Sequence, residues 1–278
     1  MNKISVITTV YNGEKTIEDT ILSVLNQSFE NFEYLIIDAK SSDNSLCIIK
    51  KYEALDSRVR CISEKDKGIY DGYNKGIANT DGNIVVVINA DDFLAKDVFS
   101  FLDIFFTTNK SIGLLACSLA KINERIQAYF EYNRLNMRKM SVDNQVVHTP
   151  AVFYKREVFE KIGNFNLNYK ISSDYDFFNR CVKAGVNIYY SSEITTIMRV
   201  GGVSDDIKFE FKKTKEQITI GLSHLKGLSK KIKFVYKILK KALKKYIFNL
   251  FYNEKKRKKR NQISFIKKIN FNSIFWFK

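Results

Sequence analysis

The 278-residue sequence lacks most of the patterns that mark a disulfide-bonded, secreted or membrane-spanning protein. It has only four cysteines, at positions 47, 61, 117 and 181, and no two of them have CxxC spacing. We therefore expect buried free thiols in a reducing compartment, without a zinc site or a disulfide framework. No run of 18 apolar residues occurs, so we expect no transmembrane helix. The N-terminal MNKISVITTVYNG lacks the apolar stretch and the cleavage site of a signal peptide.

Motifs of several common enzyme classes are also missing. The sequence contains no P-loop, no GxGxxG and no HExxH, which argues against a P-loop nucleotidase, a dinucleotide-binding enzyme and a zinc protease of the HExxH type. Proline occurs once, at Pro150, so proline cannot be used to locate the loops.

Acidic residues are almost absent from one end of the chain. The formal net charge is +16, and residues 208–278 hold 22 Lys and Arg against 3 acids, whereas residues 1–207 hold 24 against 27. The chain is therefore a nearly neutral body with a strongly basic C-terminal region. Any partner that is attracted by net charge is expected at that region alone.

The first hundred residues alternate between apolar, β-branched runs and segments with helical spacing of apolar residues. The predicted strands are 3–10, 32–38, 59–63 and 84–88, and the predicted helices are 14–26, 43–55, 69–78 and 95–106. This alternation is typical of right-handed βαβ units and of a parallel sheet with both faces covered. Further along we expect strands at 112–117, 127–131, 186–190 and 194–200, and helices at 155–162 and 174–184.

Polar residues follow each of the four early strands. In such sheets ligands bind beyond the carboxyl ends of the strands, so these residues are expected to line one rim. They are Thr9, Tyr11, Asp38, Asp66, Asn89 and Asp91.

The most informative strand end is IVVVINADD, in which a buried run leads into Asp91 and Asp92. Two adjacent carboxylates repel each other unless a positive charge lies near them. Mg²⁺ is typically held by one or two protein carboxylates together with substrate phosphates. The pair therefore favours a metal–diphosphate site, in which the metal takes up charge on a departing phosphate.

Seven segments together resemble family 2 glycosyltransferases of the GT-A fold. They are ISVITTVYNGEKTIEDTILSVLNQS, YLIIDAKSSDNS, EKDKGIYDGYNKGIA, VVVINADD, HTPAVFYKREVFEKIGNFN, ISSDYDFFNR and MRVGGVSD, and they extend to about residue 205. Within the family the chain looks most like bacterial enzymes that build O-antigen, lipopolysaccharide and other surface polysaccharides. The resemblance implies a Rossmann-like, mostly parallel α/β sheet flanked by helices, with a nucleotide-sugar half (1–106) and an acceptor and catalytic half (107–207).

The resemblance also implies roles at the donor site. Thr9 and Tyr11 stand where the family's first loop contacts the nucleotide, and Asp38 where a carboxylate accepts a hydrogen bond from the uracil N–H. Asp66, which follows the third strand, is a further donor-site candidate; Lys67 could reach a phosphate, although a solvated position is the more common one for a lysine of a basic chain.

Asn89-Ala90-Asp91 occupies the position of the family's DxD motif. Asp91 is expected to ligate Mn²⁺ or Mg²⁺ with support from Asp92, and Asn89, where the family often has Asp, to contact the ribose. Arg199 precedes Gly201-Gly202 and would touch the diphosphate if these glycines form a mobile lid.

On the acceptor side, Asp174 matches the family's general base, with Asp176 as the second choice and His148 as a residue near the acceptor. Ser173 stands where many members have Glu. One base acting in a direct displacement inverts the anomeric centre, so an α-linked UDP-sugar would give a β-linked product. The resemblance implies a hexose or N-acetylhexosamine donor and a saccharide acceptor linked to undecaprenyl diphosphate.

The C-terminal region, 208–278, contains a basic amphipathic helix at 226–252, followed by KKRKKR and an aromatic-rich end. Basic clusters beside apolar residues suit an anionic membrane surface, so we expect residues 226–278 to make a peripheral contact with the cytoplasmic face of the inner membrane. Two alternatives remain open: the apolar face could pack on the body, and KKRKKR could bind nucleic acid, which we do not expect.

Two other functions compete with glycosyl transfer. The chain could be a non-catalytic protein of the GT-A fold that acts through its basic tail on a membrane or on nucleic acid. It could also be a hydrolase that uses Asp174 and Asp176. Metal-dependent release of UDP, and a product with a new glycosidic bond, separate the transferase from both.

Overall fold

The computed structural model describes residues 2–123, 128–132, 149–199 and 207–251. These residues form a nine-stranded mixed sheet with helices packed against it. The strand order is β3-β2-β1-β4-β8-β6-β9-β5, and β7 pairs with β6 outside this path.

The N-terminal half of the sheet is parallel. Its strands are β1 (Ile4–Val10), β2 (Phe32–Asp38), β3 (Val59–Ser63) and β4 (Ile84–Asn89). The connecting helices are α1 (Ile17–Leu25), α2 (Ser45–Leu55) and α3 (Ile69–Ala78). β1 pairs with both β2 and β4, and Thr9 lies opposite Asn89 in the register of β1 and β4. The chain therefore reverses its direction across the sheet at β1, where a crevice opens beyond the strand ends.

The second half is mixed. It contains β5 (Asp92–Leu94), α4 (Val98–Thr108), β6 (Leu114–Asn123), β7 (Ala128–Tyr132), a 3₁₀ turn (Thr149–Ala151), β8 (Val152–Lys155), α5 (Arg156–Ile162), α6 (Ser173–Lys183) and β9 (Ile188–Arg199). β8 runs antiparallel to both β4 and β6, and β5 runs antiparallel to β9. The two C-terminal helices are α7 (Ile207–His224) and α8 (Leu228–Phe251).

Two apolar cores lie on the two faces of the sheet. On β1, Val6 and Val10 belong to one core, whereas Ile7 belongs to the other. Successive side chains of a strand point to opposite faces, so a central strand that is covered on both sides must be apolar throughout. This accounts for the uninterrupted apolar run at residues 84–88 of β4, and for the complete burial of β1, whose Ser5 and Thr8 hydroxyls form hydrogen bonds inside the protein.

The structure confirms the mostly parallel α/β class, and it differs from the sequence predictions in several places. Helix α7 (Ile207–His224) precedes the start predicted for the C-terminal helix at residue 226. β5 and β8 are short strands that were not predicted, because each is too short for a periodicity signal. The two predicted strands at 186–190 and 194–200 form one strand, β9, which pairs with β6 through a register shift. Of the four cysteines expected to be buried, Cys117 and Cys181 are buried, Cys61 is only partly buried, and Cys47 is exposed on α2.

Candidate active site

A cavity of about 1040 Å³ lies at the carboxyl ends of β1 and β4. Its wall is formed by the parallel half of the sheet, by the start of α6, and by α7 and α8. Most of the predicted site residues with described positions lie on this wall. They are Thr9, Tyr11, Asp66, Asn89, Asp91, Asp92, Asp174 and Arg199.

The two adjacent aspartates have different surroundings. Asp91 is only partly buried in the cavity wall, whereas Asp92 is 1% exposed and begins β5. The Asn89 side-chain amide donates to Asp92 Oδ2 at 2.9 Å, and the Tyr73 hydroxyl donates to Asn89 Oδ1. Asn89 thus uses both ends of its amide inside the protein, which leaves Asp91 as the carboxylate that faces a ligand.

Burial raises the pKa of the Asp91 carboxyl and, together with the charge of Asp91, raises that of Asp92 well above its usual range. A cation beside Asp91 would offset the unfavourable energy of ionising two neighbouring, partly or fully buried carboxyl groups. Among the described residues, no group of three His, Cys, Asp or Glu could hold a metal ion. Carboxylate oxygens are the ligands that hard cations prefer, so the Asp91 side chain is chemically suited to such a cation.

Helix α1 fixes the position of the segment that carries the two aspartates. The Thr20 hydroxyl donates to the Asp92 carbonyl at 2.8 Å, and Gln27 Nε2 donates to the Ala95 carbonyl at 2.8 Å. The Ser23 hydroxyl accepts from the Leu94 N–H at 3.2 Å. β5 pairs with β9 on one side only, which leaves backbone N–H and C=O groups on its other side. These buried polar side chains provide hydrogen-bond partners for those groups and so hold the segment in place.

Arg199, at the end of β9, is held on several sides. Its guanidinium donates to the Asp91 carbonyl at 3.0 Å, forms an ion pair with Asp19, and lies 4.4 Å from the centroid of the Phe93 ring. A side chain fixed in this way places a permanent positive charge beside Asp91 without depending on a moving lid. Gly201 and Gly202, the glycines of the expected lid, lie outside the described residues.

Asp174 lies at the start of α6 and faces the same cavity. Its carboxylate accepts hydrogen bonds from the Tyr175 N–H at 2.8 Å, the Thr149 hydroxyl at 3.0 Å and the Tyr70 hydroxyl at 3.1 Å. Burial raises the pKa of Asp174, while these hydrogen bonds and the charge of Lys213 act in the opposite direction. A carboxylate with a raised pKa that is oriented by fixed donors is suited to accept a proton.

Asp176 has a different environment although it is only two residues away. It is buried, its Oδ2 pairs with Arg180 Nε at 2.8 Å, and it is not part of the cavity wall. Residues two apart on a helix point in different directions, which separates the two carboxylates. The geometry therefore favours Asp174 over Asp176 as the base.

Comparison with known proteins identifies the family. The model of the family described as "Glycosyl transferase family 2" matches residues 5–163, which is more than half of the chain. The chain belongs to glycosyl transferase family 2.

Relatives in this family are named as biosynthetic glycosyltransferases. The PGL/p-HBAD biosynthesis glycosyltransferase of Mycobacterium tuberculosis (strain H37Rv) is 27% identical over 209 residues, which cover 73% of this chain and 79% of the relative. A protein named as a teichuronic acid biosynthesis glycosyltransferase, TuaG of Bacillus subtilis (strain 168), is 37% identical over 95 residues, covering 34% of this chain and 38% of the relative.

Solved structures confirm the GT-A fold. S. aureus TarS 1–349 in complex with UDP-GlcNAc has a TM-score of 0.66 at 17% identity and covers 92% of this chain and 77% of that chain. The mannosyltransferase PcManGT of Pyrobaculum calidifontis, in complex with GDP-Man and Mn²⁺, has a TM-score of 0.66 at 13% identity and covers 96% and 81%.

Two of the predicted donor-site residues lie off the cavity wall. Asp38 is fully buried, and its carboxylate accepts from the Ser41 N–H at 3.1 Å and from the Ser63 hydroxyl, so each oxygen already has a donor inside the protein. Ala39 lines the cavity instead. Lys67 also lies off the wall, because its loop presents Lys65 and Asp66 to the cavity.

The structure also reveals cavity residues that the family motifs did not single out. Tyr70 and Tyr73 lie three apart on α3, so both reach the cavity and bind Asp174 and Asn89 respectively. Their spacing in GIYDGYNKG was a signal that could have been used. No sequence pattern marks Lys213 of α7 or Lys241 of α8 as a cavity residue, because their position on the cavity wall depends on how these helices pack against the body. His148 lies outside the described residues.

Proposed function

We propose that the chain is an inverting, metal-dependent glycosyltransferase that uses a UDP-sugar donor. The observation that carries the proposal is the placement of Asp91 and Asp174 in the wall of one cavity although they come from distant parts of the sequence. A donor diphosphate at Asp91 would direct its sugar toward Asp174.

On the donor side, Asp91 would hold Mn²⁺ or Mg²⁺ together with the diphosphate, and Arg199 would add positive charge. When bound, the metal supplies charge stabilisation for the departing UDP. Asp92 is buried and bound by Asn89, so it would hold the chain next to Asp91 rather than ligate the metal itself. Thr9, Tyr11 and Asp66 remain candidates for contacts with the nucleoside, and support for a nucleotide-sugar donor comes from the donors bound to TarS and PcManGT.

On the acceptor side, Asp174 would remove the proton of the attacking hydroxyl. Tyr70 and Thr149 orient its carboxylate toward the cavity. A single base opposite the leaving group leads to direct displacement and inversion, so an α-linked donor gives a β-linked product.

The natural acceptor in this proposal is a lipid-linked saccharide used in the synthesis of O-antigen, capsule or exopolysaccharide, and the transferred sugar is a hexose or N-acetylhexosamine. The names of the relatives support a role in surface glycan synthesis. An acceptor of this kind is embedded in a bilayer, so the enzyme would work at the cytoplasmic face of the inner membrane. No described helix, α8 included, combines the length and the hydropathy that crossing a membrane requires.

Helix α8 supports a peripheral contact because it has two apolar faces. Phe234 on the inner face is 2% exposed and packs against Gly221 of α7, while Ile238 and Ala242 reach the cavity wall. The outer face carries a stripe of apolar side chains that are 50–74% exposed, with lysines beside it on the helix surface. The stripe consists of Leu228, Ile232, Tyr236, Leu239 and Leu243.

We propose that this outer stripe lies on an anionic bilayer, to which each adjacent lysine contributes on the order of 1 kcal/mol. Replacing Ile232, Leu239 and Leu243 together by Ser should abolish co-sedimentation with vesicles that contain phosphatidylglycerol. The inner face, and with it the cavity, stays intact in this variant. Full co-sedimentation of the triple variant would refute the assignment. Deleting residues 226–278 is a poorer test, because it also removes part of the cavity wall.

The decisive experiment measures UDP release from a panel of UDP-sugars with Mn²⁺ or Mg²⁺. We expect release to require the metal, to be lost in Asp91→Asn, and to fall roughly 10²- to 10⁴-fold in Asp174→Asn. Asp81→Asn, an exposed carboxylate that pairs with Lys3, is the matched control and should retain full activity.

Unchanged UDP release in Asp91→Asn would contradict the proposal. Absence of UDP release with every donor, in a protein that still binds vesicles or nucleic acid, would favour the non-catalytic alternative. A product without a new glycosidic bond, in the presence of an acceptor, would favour the hydrolase.

A further inference from the structure

One acidic residue of the lysine-rich α7 is buried against the segment that precedes Asp174. Glu216 is 8% exposed. Its Oε1 accepts from the Lys170 N–H at 2.9 Å, and its Oε2 accepts from the N–H groups of Ile171 and Ser172, each at 2.9 Å. One carboxylate thus binds three consecutive backbone donors that are more than forty residues away in the sequence.

The location of these donors explains why a carboxylate is favoured there. They lead directly into α6, whose N-cap residue is Ser172, and the Ser172 side chain makes no cap hydrogen bond. The Ser172 hydroxyl has no partner among the described residues. The N-terminus of a helix carries unpaired N–H groups and a partial positive charge, so an anion there is stabilising. Glu216 supplies this anion from another helix.

We propose that Glu216 is a positioning residue for the general base. By binding residues 170–172 it fixes the first turn of α6, and therefore the direction in which Asp174 points between Tyr70 and Thr149. This inference rests on the proposed function of Asp174. It makes α7 part of the active site, because the helix that carries Glu216 also brings Lys213 and Gln217 to the cavity.

The test is Glu216→Gln, assayed by UDP release with water as the acceptor and the best UDP-sugar of the panel as the donor. The Gln side chain keeps the shape, but its NH₂ group faces a backbone N–H and cannot accept. We expect kcat to fall roughly 10- to 100-fold, because small displacements of a catalytic group have effects of this size. The donor KM, and the Kd of UDP with Mn²⁺, should stay within about twofold of wild type, since Asp91 lies on another element.

Two further variants control this result. Glu160→Gln removes an exposed carboxylate of α5 and should leave kcat and KM unchanged. Glu216→Asp keeps the charge on a shorter side chain and should restore kcat in part. If Glu216→Gln does not fold, the Asp variant decides on its own: an intermediate kcat with an unchanged donor KM supports the proposal, and a wild-type kcat contradicts it.

The inference is wrong if Glu216→Gln retains wild-type kcat, or if kcat, donor binding and melting temperature all decline together, as expected for a residue that only stabilises the fold. Failure of the proposed function is distinguishable from both, because wild-type protein would then release no UDP from any donor.

Discussion

At the scale of single residues, Asn89 shows why a departure from a family motif can be required by its neighbours. Its amide donates to the carboxylate of the buried Asp92 and accepts from Tyr73. A carboxylate at position 89 could not donate to Asp92, and it would place a like charge at hydrogen-bond distance. The neutral amide therefore allows Asp92 to be buried next to Asp91.

Replacing Asn89 by Asp should destabilise the protein by about 1–3 kcal/mol at neutral pH, because a buried donor is lost and a like charge is gained. A carboxyl group whose pKa is raised in the folded state contributes stability at a pH below its unfolded pKa. That contribution is lost as the pH rises through the folded pKa. The deficit should therefore grow from pH 4 to pH 8 in thermal melts. Asn168→Asp, on an exposed side chain, is the control; an equal deficit at both pH values would contradict this account.

The hydrogen bond from Thr149 to Asp174 predicts a pH dependence of activity. This bond favours the ionised carboxylate and lowers a pKa that burial has raised. Thr149→Val removes the donor with little change in volume, so the pKa of Asp174 should rise. The acidic limb of the pH profile for UDP release should move to higher pH, since the base is then protonated over a wider range. A limb that stays in place or moves to lower pH would argue against Asp174 as the base.

At the scale of secondary structure elements, glycines determine how closely helices approach their neighbours. A Cβ atom at Gly76 of α3 would lie 2.3 Å from Ile7 Cγ2 on β1, and one at Gly221 of α7 would lie 2.1 Å from the Phe234 ring of α8, and both distances are severe overlaps. These approaches bring α3 to the end of β1, and α8 to the cavity. Neither approach leaves room for a larger side chain.

Gly221→Ala should loosen α8 although alanine favours helix more than glycine does. The better propensity contributes about 1 kcal/mol, whereas overpacking typically costs about 1–3 kcal/mol. Limited trypsin digestion should cut faster at Lys226, in the link between α7 and α8. In a Phe234→Ala background, Gly221→Ala should not increase the rate of cleavage further, because the ring that the methyl group would meet is absent. If the two substitutions increase the rate additively, Gly221 and Phe234 are not in direct contact.

Predicting elements from the sequence succeeded where the signal is local. β2, β3 and α3 begin and end at the predicted residues, because the signal for each lies in its own residues. β5 and β8 were missed because three or four residues carry no period, and because their pairing with β9, β4 and β6 depends on contacts distant in sequence. The family motifs led to Asp91, Asp174 and Arg199 by position, but not to Tyr70, Tyr73 or Glu216.

At the scale of the whole molecule, the described part of the basic C-terminal region, residues 208–251, is joined to the body rather than appended to it. α7 contacts α6 through Glu216, and α8 packs on α7 through Phe234. The boundary predicted at residue 207 therefore separates two charge compositions, whereas the cavity is built from both sides of it. A bilayer beneath the outer stripe of α8 would lie close to the cavity that its inner face lines.

The cavity as a whole predicts that the metal and the nucleotide bind together. The described residues offer no complete set of metal ligands, so each ligand should complete the site of the other. In differential scanning fluorimetry, UDP with Mn²⁺ should raise the melting temperature by more than the sum of the two separate shifts. The excess should vanish in Asp91→Asn; a full shift with Mn²⁺ alone would contradict a shared site.

The sequence by itself determined the parallel half of the sheet, the family and the approximate positions of Asp91 and Asp174. These follow from apolar patterns and motifs that lie within short stretches of chain. Only the tertiary structure decided that Asp38 and Asp176 turn away from the cavity, that Asn89 links Tyr73 to Asp92, and that α8 has an inner and an outer face. The physical reason is that a side chain's direction and its partners depend on the packing of elements far apart in the sequence, which no local pattern encodes.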